Sequence, residues 1–364
     1  MSIFGLNALS PWSLLELVGG LILLIIGAEI LVRAAVRLAA SLKVRPLIIG
    51  LSIVAFGSSA PQMTVSLQAT LAGNTDIAVG SVIGSSIFNI LVTLGLSALI
   101  IPLRVSRQLV RVDIPVMIVA GLLVFILAAN EMLTPLDGAV LLVALVAYLG
   151  VLHYQTRHSR RPRTLDTVAK APWLSSVLLM LGGLLVLVLA GHLLLGAAVD
   201  VAGDLGLSER VIGLTLIGVG TSLPCLATSL IAALRGEREI AVGNVIGSNL
   251  FNLLGVLGFT ALVAPTPLSV SPNALDFDLP VMLGAIILCL PVFYTGYRVT
   301  RIEGLVLLGL YLAYGLHVMA FTTGMPLANK LEQLMLYYVL PALGALLLFT
   351  SLRAWHRQHK RESQ

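Results

Sequence analysis

The sequence predicts an all-α integral membrane protein. Its plan is two inverted five-helix repeats, ten core transmembrane helices, plus one extra C-terminal transmembrane helix. Three observations predict this. The 364 residues are 58% hydrophobic and 11% charged, against about 25% charged in a typical soluble domain. Apolar runs near the roughly 20 residues that one membrane crossing needs recur along the whole chain. Residues 57–96 are repeated at 220–259 with 21 of 40 positions identical and no gap. The composition excludes a soluble enzyme and a disordered chain, which needs low hydrophobicity. A membrane barrel would show alternating segments of about ten residues instead.

The spans follow in order at roughly 12–40, 46–72, 77–101, 111–129, 134–152, 173–200, 209–234, 240–263, 276–295, 302–321 and 333–352. The first is read as a span rather than a cleaved signal peptide. Nothing before Trp12 is positively charged, and the run is too long for such a segment. With the N-terminus outside, 20 of the 22 Lys and Arg residues fall in inside loops or the tail, leaving only Arg210 and Lys330 outside. Basic residues gather on the cytoplasmic face, so the N-terminus is expected outside and the C-terminus inside. The net charge of +5 is therefore topological and implies no nucleic acid. Cys225 and Cys289 both lie at expected membrane depth without a CxxC pattern, which argues against a disulfide or zinc site.

The repeat extends beyond its core. Gly19-Gly20 matches Gly182-Gly183, Asp113-Ile-Pro-Val-Met resembles Asp278-Leu-Pro-Val-Met, and Asp137-Gly resembles Glu303-Gly. A unit of five spans is odd, so its second copy enters from the opposite side. That is the plan of secondary transporters, with a site near the bilayer midplane between the copies. The first repeat is expected over 1–155, a cytoplasmic linker over 156–172, the second repeat over 173–323, and the extra helix with a basic tail over 324–364. The most similar stretches are polar and glycine-rich in mid-membrane. Facing lipid they would cost several kcal/mol, unless they line a cavity.

GSSAP at 57–61 and GTSLP at 220–224 place hydroxyls and proline inside apolar helices. Proline removes one helix hydrogen bond and frees a carbonyl. Together these groups make an oxygen-rich pocket, which suits hard cations. GSSIFN at 84–89 and GSNLFN at 247–252 add Ser85 with Asn89 and Ser248 with Asn252, each pair four apart on one helical face.

At these residues the chain resembles the cation/calcium antiporter superfamily, the sodium/calcium exchangers. The likeness rests on GTSLP with its Ala-Thr-Ser tail and on AVGNVIGSNLFN, and it covers spans one to ten. It implies an inverted-repeat carrier that exchanges calcium for sodium by alternating access, with no cofactor. It also implies cation ligands at Ser58, Ser59, Gln62, Ser85, Asn89, Thr221, Ser222, Cys225, Ser248 and Asn252, completed by the carbonyls of Ala55 and Gly218. The partners implied are the lipid bilayer and the transported cations. No obligate protein partner is readable.

One departure bears on the ion. The family places glutamate after each motif proline; this chain has Gln62 and Cys225. Calcium prefers six to eight oxygens that include carboxylates. Without them a divalent ion gives up water uncompensated, and about 4 kcal/mol is a thousandfold in affinity. Four readings remain: weak or monovalent exchange through neutral oxygens; use of Glu29, mid-span, with His192 at its repeat-equivalent position, as a proton site; a scaffold that no longer transports; or a soft metal at Cys225 and Met63. No HExxH or GK[ST] phosphate loop supports an enzyme. A channel is a further reading, because polar helix breaks also build filters. The expected location is a bacterial inner membrane.

Overall fold

A computed structural model describes residues 11–158, 173–204, 209–294 and 296–322, together with 333, 334 and 338. Most of the linker and all but three positions of the eleventh span therefore lie outside the described residues. Ten helices run along the described chain. They are α1 (Pro11–Leu42), α2 (Pro46–Leu71), α3 (Thr75–Ile100), α4 (Leu109–Asn130) and α5 (Pro135–His158). The second five are α6 (Trp173–Asp204), α7 (Glu209–Leu234), α8 (Arg238–Val263), α9 (Ala274–Tyr294) and α10 (Arg301–Thr322). Nine of these are long and apolar enough to cross a membrane; α7 contributes the apolar stretch Gly218–Leu234.

Local chemistry sets the helix ends, and it does so twice. After α2 and α7 the chain turns through Gly73 (φ 84°) and Gly236 (φ 82°), the left-handed conformation that glycine adopts without strain. Before α5, Thr134 and Asp137 form a reciprocal capping box: the Thr134 backbone N–H donates to Asp137 Oδ2 at 2.8 Å, and the Asp137 N–H donates to Thr134 Oγ1 at 3.3 Å. Thr300 and Glu303 repeat it before α10, at 2.7 and 3.3 Å. Each box satisfies helix N–H groups that otherwise lack partners. This explains why Asp137-Gly and Glu303-Gly occupy matching places in the sequence.

Four two-residue strands close the ends of the bundle. They are β1 (Leu103–Arg104), β2 (Met132–Leu133), β3 (Leu268–Ser269) and β4 (Arg298–Val299). β1 pairs antiparallel with β4, and β2 with β3. β1 lies between α3 and α4; β4 lies between α9 and α10. If every helix crosses once, these two loops share one end and the β2 and β3 loops share the other. β1 and β3 are repeat-equivalent yet sit at opposite ends, as inversion requires. Close glycine contacts obey the same exchange. A Cβ on Gly304 would lie 2.6 Å from the Gly95 carbonyl oxygen, and one on Gly138 would lie 2.6 Å from that of Gly258. Thus α10 crosses α3 as α5 crosses α8.

The packing separates a core from a lipid face. Within their apolar windows α3 and α8 are 78% and 89% buried, whereas α5 and α10 are 22% and 17% buried. The polar motifs of the repeat therefore ride on the most enclosed helices. Leu174, Leu178, Leu181, Leu185 and Leu189 of α6 are exposed at helical spacing, a stripe that suits lipid tails rather than water. The closest partner of α6 is α1. A Cβ on Gly183 would stand 2.8 Å from the Leu31 backbone nitrogen.

A second pair of polar contacts follows the two-fold. Tyr148 Oη donates to Asp113 Oδ1 at 3.2 Å, and Tyr314 Oη donates to Asp278 Oδ1 at 3.0 Å. The aspartates end matching π-helical turns at Leu109–Asp113 and Ala274–Asp278. Tyr148→Phe would leave a buried carboxyl oxygen without its donor, an effect of about 1–3 kcal/mol. The expected result is a lower unfolding temperature in detergent, and a similar fall for Tyr314→Phe. Unchanged melting in both variants would show that the pairs do not hold α4 to α5 or α9 to α10.

Candidate ion-binding site

The motif prolines lie inside helices, Pro61 in α2 and Pro224 in α7. Both helices face α3 and α8 across the bundle centre. There the side chains form two clusters that the repeat offset interconverts.

In the first cluster Gln62 is the hub. Its Nε2 donates to Ser66 Oγ at 3.0 Å and to Ser81 Oγ at 2.9 Å. Ser81 gives its own proton to the Ala78 carbonyl, so its lone pairs are free to accept. Gln62 Oε1 accepts from Ser85 at 2.7 Å and from Thr221 at 2.5 Å. The Gly218 carbonyl accepts from Ser222 at 2.9 Å and lies 3.1 Å from Ser85 Oγ.

In the second cluster Asn244 is the hub. Its Nδ2 donates to Ser229 Oγ at 2.9 Å and to the Cys225 carbonyl at 3.2 Å. Its Oδ1 accepts from Ser58 at 2.9 Å and lies 3.5 Å from Ser248 Oγ. Ser58 also lies 2.8 Å from Ser248 Oγ and 3.1 Å from the Ala55 carbonyl. The Cys225 thiol donates weakly to Ser248 at 3.6 Å.

The structure thus brings together Ser58, Gln62, Ser85, Thr221, Ser222, Cys225 and Ser248 with the carbonyls of Ala55 and Gly218. All seven side chains are buried. No member of either cluster is a carboxylate. Among the described residues no group of three or more His, Cys, Asp or Glu is arranged to hold a metal ion. Hydroxyls and amides provide neutral oxygens that can turn toward a hard cation. One thiol bonded to a serine does not make a soft-metal site.

Other expected site residues stand apart from these clusters. Ser59 is buried with its hydroxyl unpartnered. It lines a mostly apolar cavity of about 390 Å³ with Phe56, Met63, Leu145, Phe251 and Phe259. Asn89 and Asn252 are buried, and their Oδ1 atoms lack partners. Each lies at a π-helical turn, Asn89–Leu94 or Phe251–Val256. Such turns widen the helix locally and recur at functional sites. The Asn89 N–H still bonds to the Ser85 carbonyl, so Ser85 and Asn89 keep their shared face up to the start of the turn.

Glu29 is ion-paired rather than isolated. Arg33 Nε donates to Glu29 Oε1 at 2.5 Å, and Arg235 Nε donates to Oε2 at 2.7 Å. The Arg235 contact sets Glu29 of α1 beside the residue that follows α7. His192 lines a small cavity with Pro61, Val65, Gly220 and Thr221, so the two repeat-equivalent positions have different surroundings.

Asn244 is the hub that the motif comparison passed over. Its signal was present: within otherwise matching AVGSVIG and AVGNVIG, Asn244 stands where the first copy has Ser81.

Close helix approach holds the site in place. A Cβ on Gly247 would fall 2.6 Å from both the Ala55 Cβ and the Leu51 carbonyl oxygen. Gly247→Ala must therefore push α2 from α8 beside Ser248 and Ser58. Overpacking of this kind destabilises by about 1–3 kcal/mol. A lower melting temperature and loss of cation flux are expected. An alanine variant with unaltered melting and flux would show that the crossing has room to spare.

The comparisons with known proteins agree with this geometry. The family model described as sodium/calcium exchanger protein matches residues 12–154 and 175–320. The protein CaxA of Alkalimonas amylolytica is 39% identical over 304 residues, covering 81% of this chain and 95% of CaxA. The inner membrane protein YrbG of Escherichia coli is 38% identical, covering 73% of this chain and 84% of its own. The sodium/calcium exchanger MaX1 of Methanosarcina acetivorans is 31% identical, covering 81% and 95%. A solved structure of the sodium-calcium exchanger NCX_Mj superposes with a TM-score of 0.71 at 29% identity, over 85% of this chain and 98% of that one. The fold, the motif positions and these matches lead to one conclusion: the chain is an integral membrane protein of the sodium/calcium exchanger family.

Proposed function

We propose that the chain is a secondary-active cation carrier working by alternating access around the two clusters, and that it favours monovalent cations of sodium size over calcium. Its working unit is the pair of repeats at 1–155 and 173–323, joined by the linker at 156–172. The observation that carries this reading is the neutrality of both clusters. Hydroxyl, amide and carbonyl oxygens can replace the water of a singly charged ion. A doubly charged ion in the same poorly hydrated site keeps a charge that no carboxylate offsets. The segregation of basic residues supports an N-terminus outside and a C-terminus inside. The bacterial relatives favour an inner membrane.

The test is uptake of radioactive sodium into sodium-loaded proteoliposomes, comparing the unaltered chain with Ser58→Ala/Thr221→Ala. Those positions are repeat-equivalent and touch both hubs. Exchange by the unaltered chain and its loss in the variant are expected. A well-folded chain that moves neither sodium nor another cation would instead be a membrane scaffold, and the carrier reading would fall.

A further inference from the structure

Gln62 and Cys225 are repeat-equivalent, as are Ser81 and Asn244, at the same offset of 163 that aligns the motifs. Read position by position, the second half has lost its amide at Cys225. Read in space, it has not. In the first half an amide nitrogen from α2 points to Ser66, and the amide oxygen accepts from Ser85 and Thr221. In the second half an amide nitrogen from α8 points to Ser229, and its oxygen faces Ser248 and Ser58. Ser229, Ser248 and Ser58 are the repeat mates of Ser66, Ser85 and Thr221. The same group meets the same three partners, delivered from the opposite helix.

Chain length explains how the exchange fits. Glutamine at position 62 is long enough to reach the α3 hydroxyls from α2. At position 225 the side chain is a short thiol, and the matching space is entered from α8 by asparagine. The Asn244 orientation is fixed by its nitrogen, which faces the Cys225 carbonyl at 3.2 Å, an oxygen that can only accept. Its Oδ1 must therefore face the hydroxyls.

We infer that Asn244 is a cation-binding residue of this chain, the second-half counterpart of Gln62. Its Oδ1 and Gln62 Oε1 are the pair of amide oxygens offered to a monovalent alkali cation. This rests on the carrier reading above and deepens it by naming a ligand at a motif position to which the resemblance assigns none. The hydroxyls that now donate to each amide oxygen rotate their protons away when the ion is held, so no proton is gained or lost. Binding should then be insensitive to pH near neutrality.

The test uses the full chain in detergent, with sodium chloride compared against choline chloride and the sodium-dependent rise in melting temperature as readout. The unaltered chain should respond to sodium. Asn244→Ser, which copies the first half, should weaken the apparent affinity about tenfold or more, roughly the loss of one good ligand. Asn244→Ser with Cys225→Gln, which moves the amide back to its repeat position, should recover most of it. A merely structural role for Asn244 would change the melting temperature but not its sodium dependence. Should Asn244→Ser fail to fold, the isosteric Asn244→Asp decides. A ligand at Oδ1 predicts a new calcium response, and absence of that response overturns the inference. A sodium response that survives Asn244→Ser also overturns it while leaving the carrier reading intact. An unaltered chain with no response to any alkali cation and no flux overturns the carrier reading, and the inference falls with it.

Discussion

Replacing Gln62 and Cys225 together by glutamate is expected to create tight calcium binding where the unaltered chain has little. The two positions are repeat-equivalent on α2 and α7 and are buried. Gln62 touches Ser85 and Thr221, and Cys225 touches Ser248, so each new carboxylate would join a set of hydroxyls already facing inward. Two negative charges would match one calcium ion, which prefers carboxylates among its six to eight oxygens. The difference expected is about 4 kcal/mol or more, a thousandfold in dissociation constant. At calcium a hundredfold above that constant, the variant should gain about 2.7 kcal/mol of stability. Without calcium it should melt below the unaltered chain, because two carboxylates would be buried without a partner. Sodium-gradient-driven calcium uptake into proteoliposomes completes the test. Uptake in the double variant alone is expected. Equal uptake by the unaltered chain would mean that neutral oxygens suffice for calcium, and the electrostatic argument would be wrong.

Much of this architecture was legible because it repeats. The 21 identities between 57–96 and 220–259 placed the four central helices and their two-fold. The matching Asp137-Gly and Glu303-Gly marked helix starts that the structure closes with equivalent capping boxes. Composition and basic-residue spacing were enough for the ten spans, because a lipid-exposed helix has one physical requirement that any sequence must meet.

What escaped were relations between side chains on different helices. Ser85 and Asn89 share a helical face, yet Ser85 joins the Gln62 cluster while the Asn89 Oδ1 has no partner. Glu29 reads in the sequence as an acid within the first span. Its partner Arg235 lies 206 residues away and no local pattern announces it. Asn244 was hidden by the alignment itself. Matching like to like sets Asn244 against Ser81 and Cys225 against Gln62, which makes two losses of symmetry out of one exchange in space.

The second large effect concerns the carrier with no ion bound. In a site with two carboxylates, the ion-free state carries two buried charges through the low-dielectric middle of the conformational change. Each uncompensated charge costs several kcal/mol, and every 1.4 kcal/mol slows the step about tenfold. Such a carrier reorients only when loaded, which enforces exchange. Here the hubs are Gln62 and Asn244, whose oxygens accept from Ser85, Thr221 and Ser58. Neither cluster holds a carboxylate, so a site that has released its ion carries no net charge and the barrier to its reorientation lacks the charge penalty. Net uptake of radioactive sodium into sodium-free vesicles, with the membrane potential clamped, should therefore proceed within about tenfold of the exchange rate. Gln62→Glu/Cys225→Glu should restore strict dependence on a cation inside, lowering net uptake by a further hundredfold or so. A strict requirement for the internal cation in the unaltered chain would show that something other than site charge couples the two directions. The Glu29–Arg235 contact between α1 and the turn after α7 would then be the next place to cut.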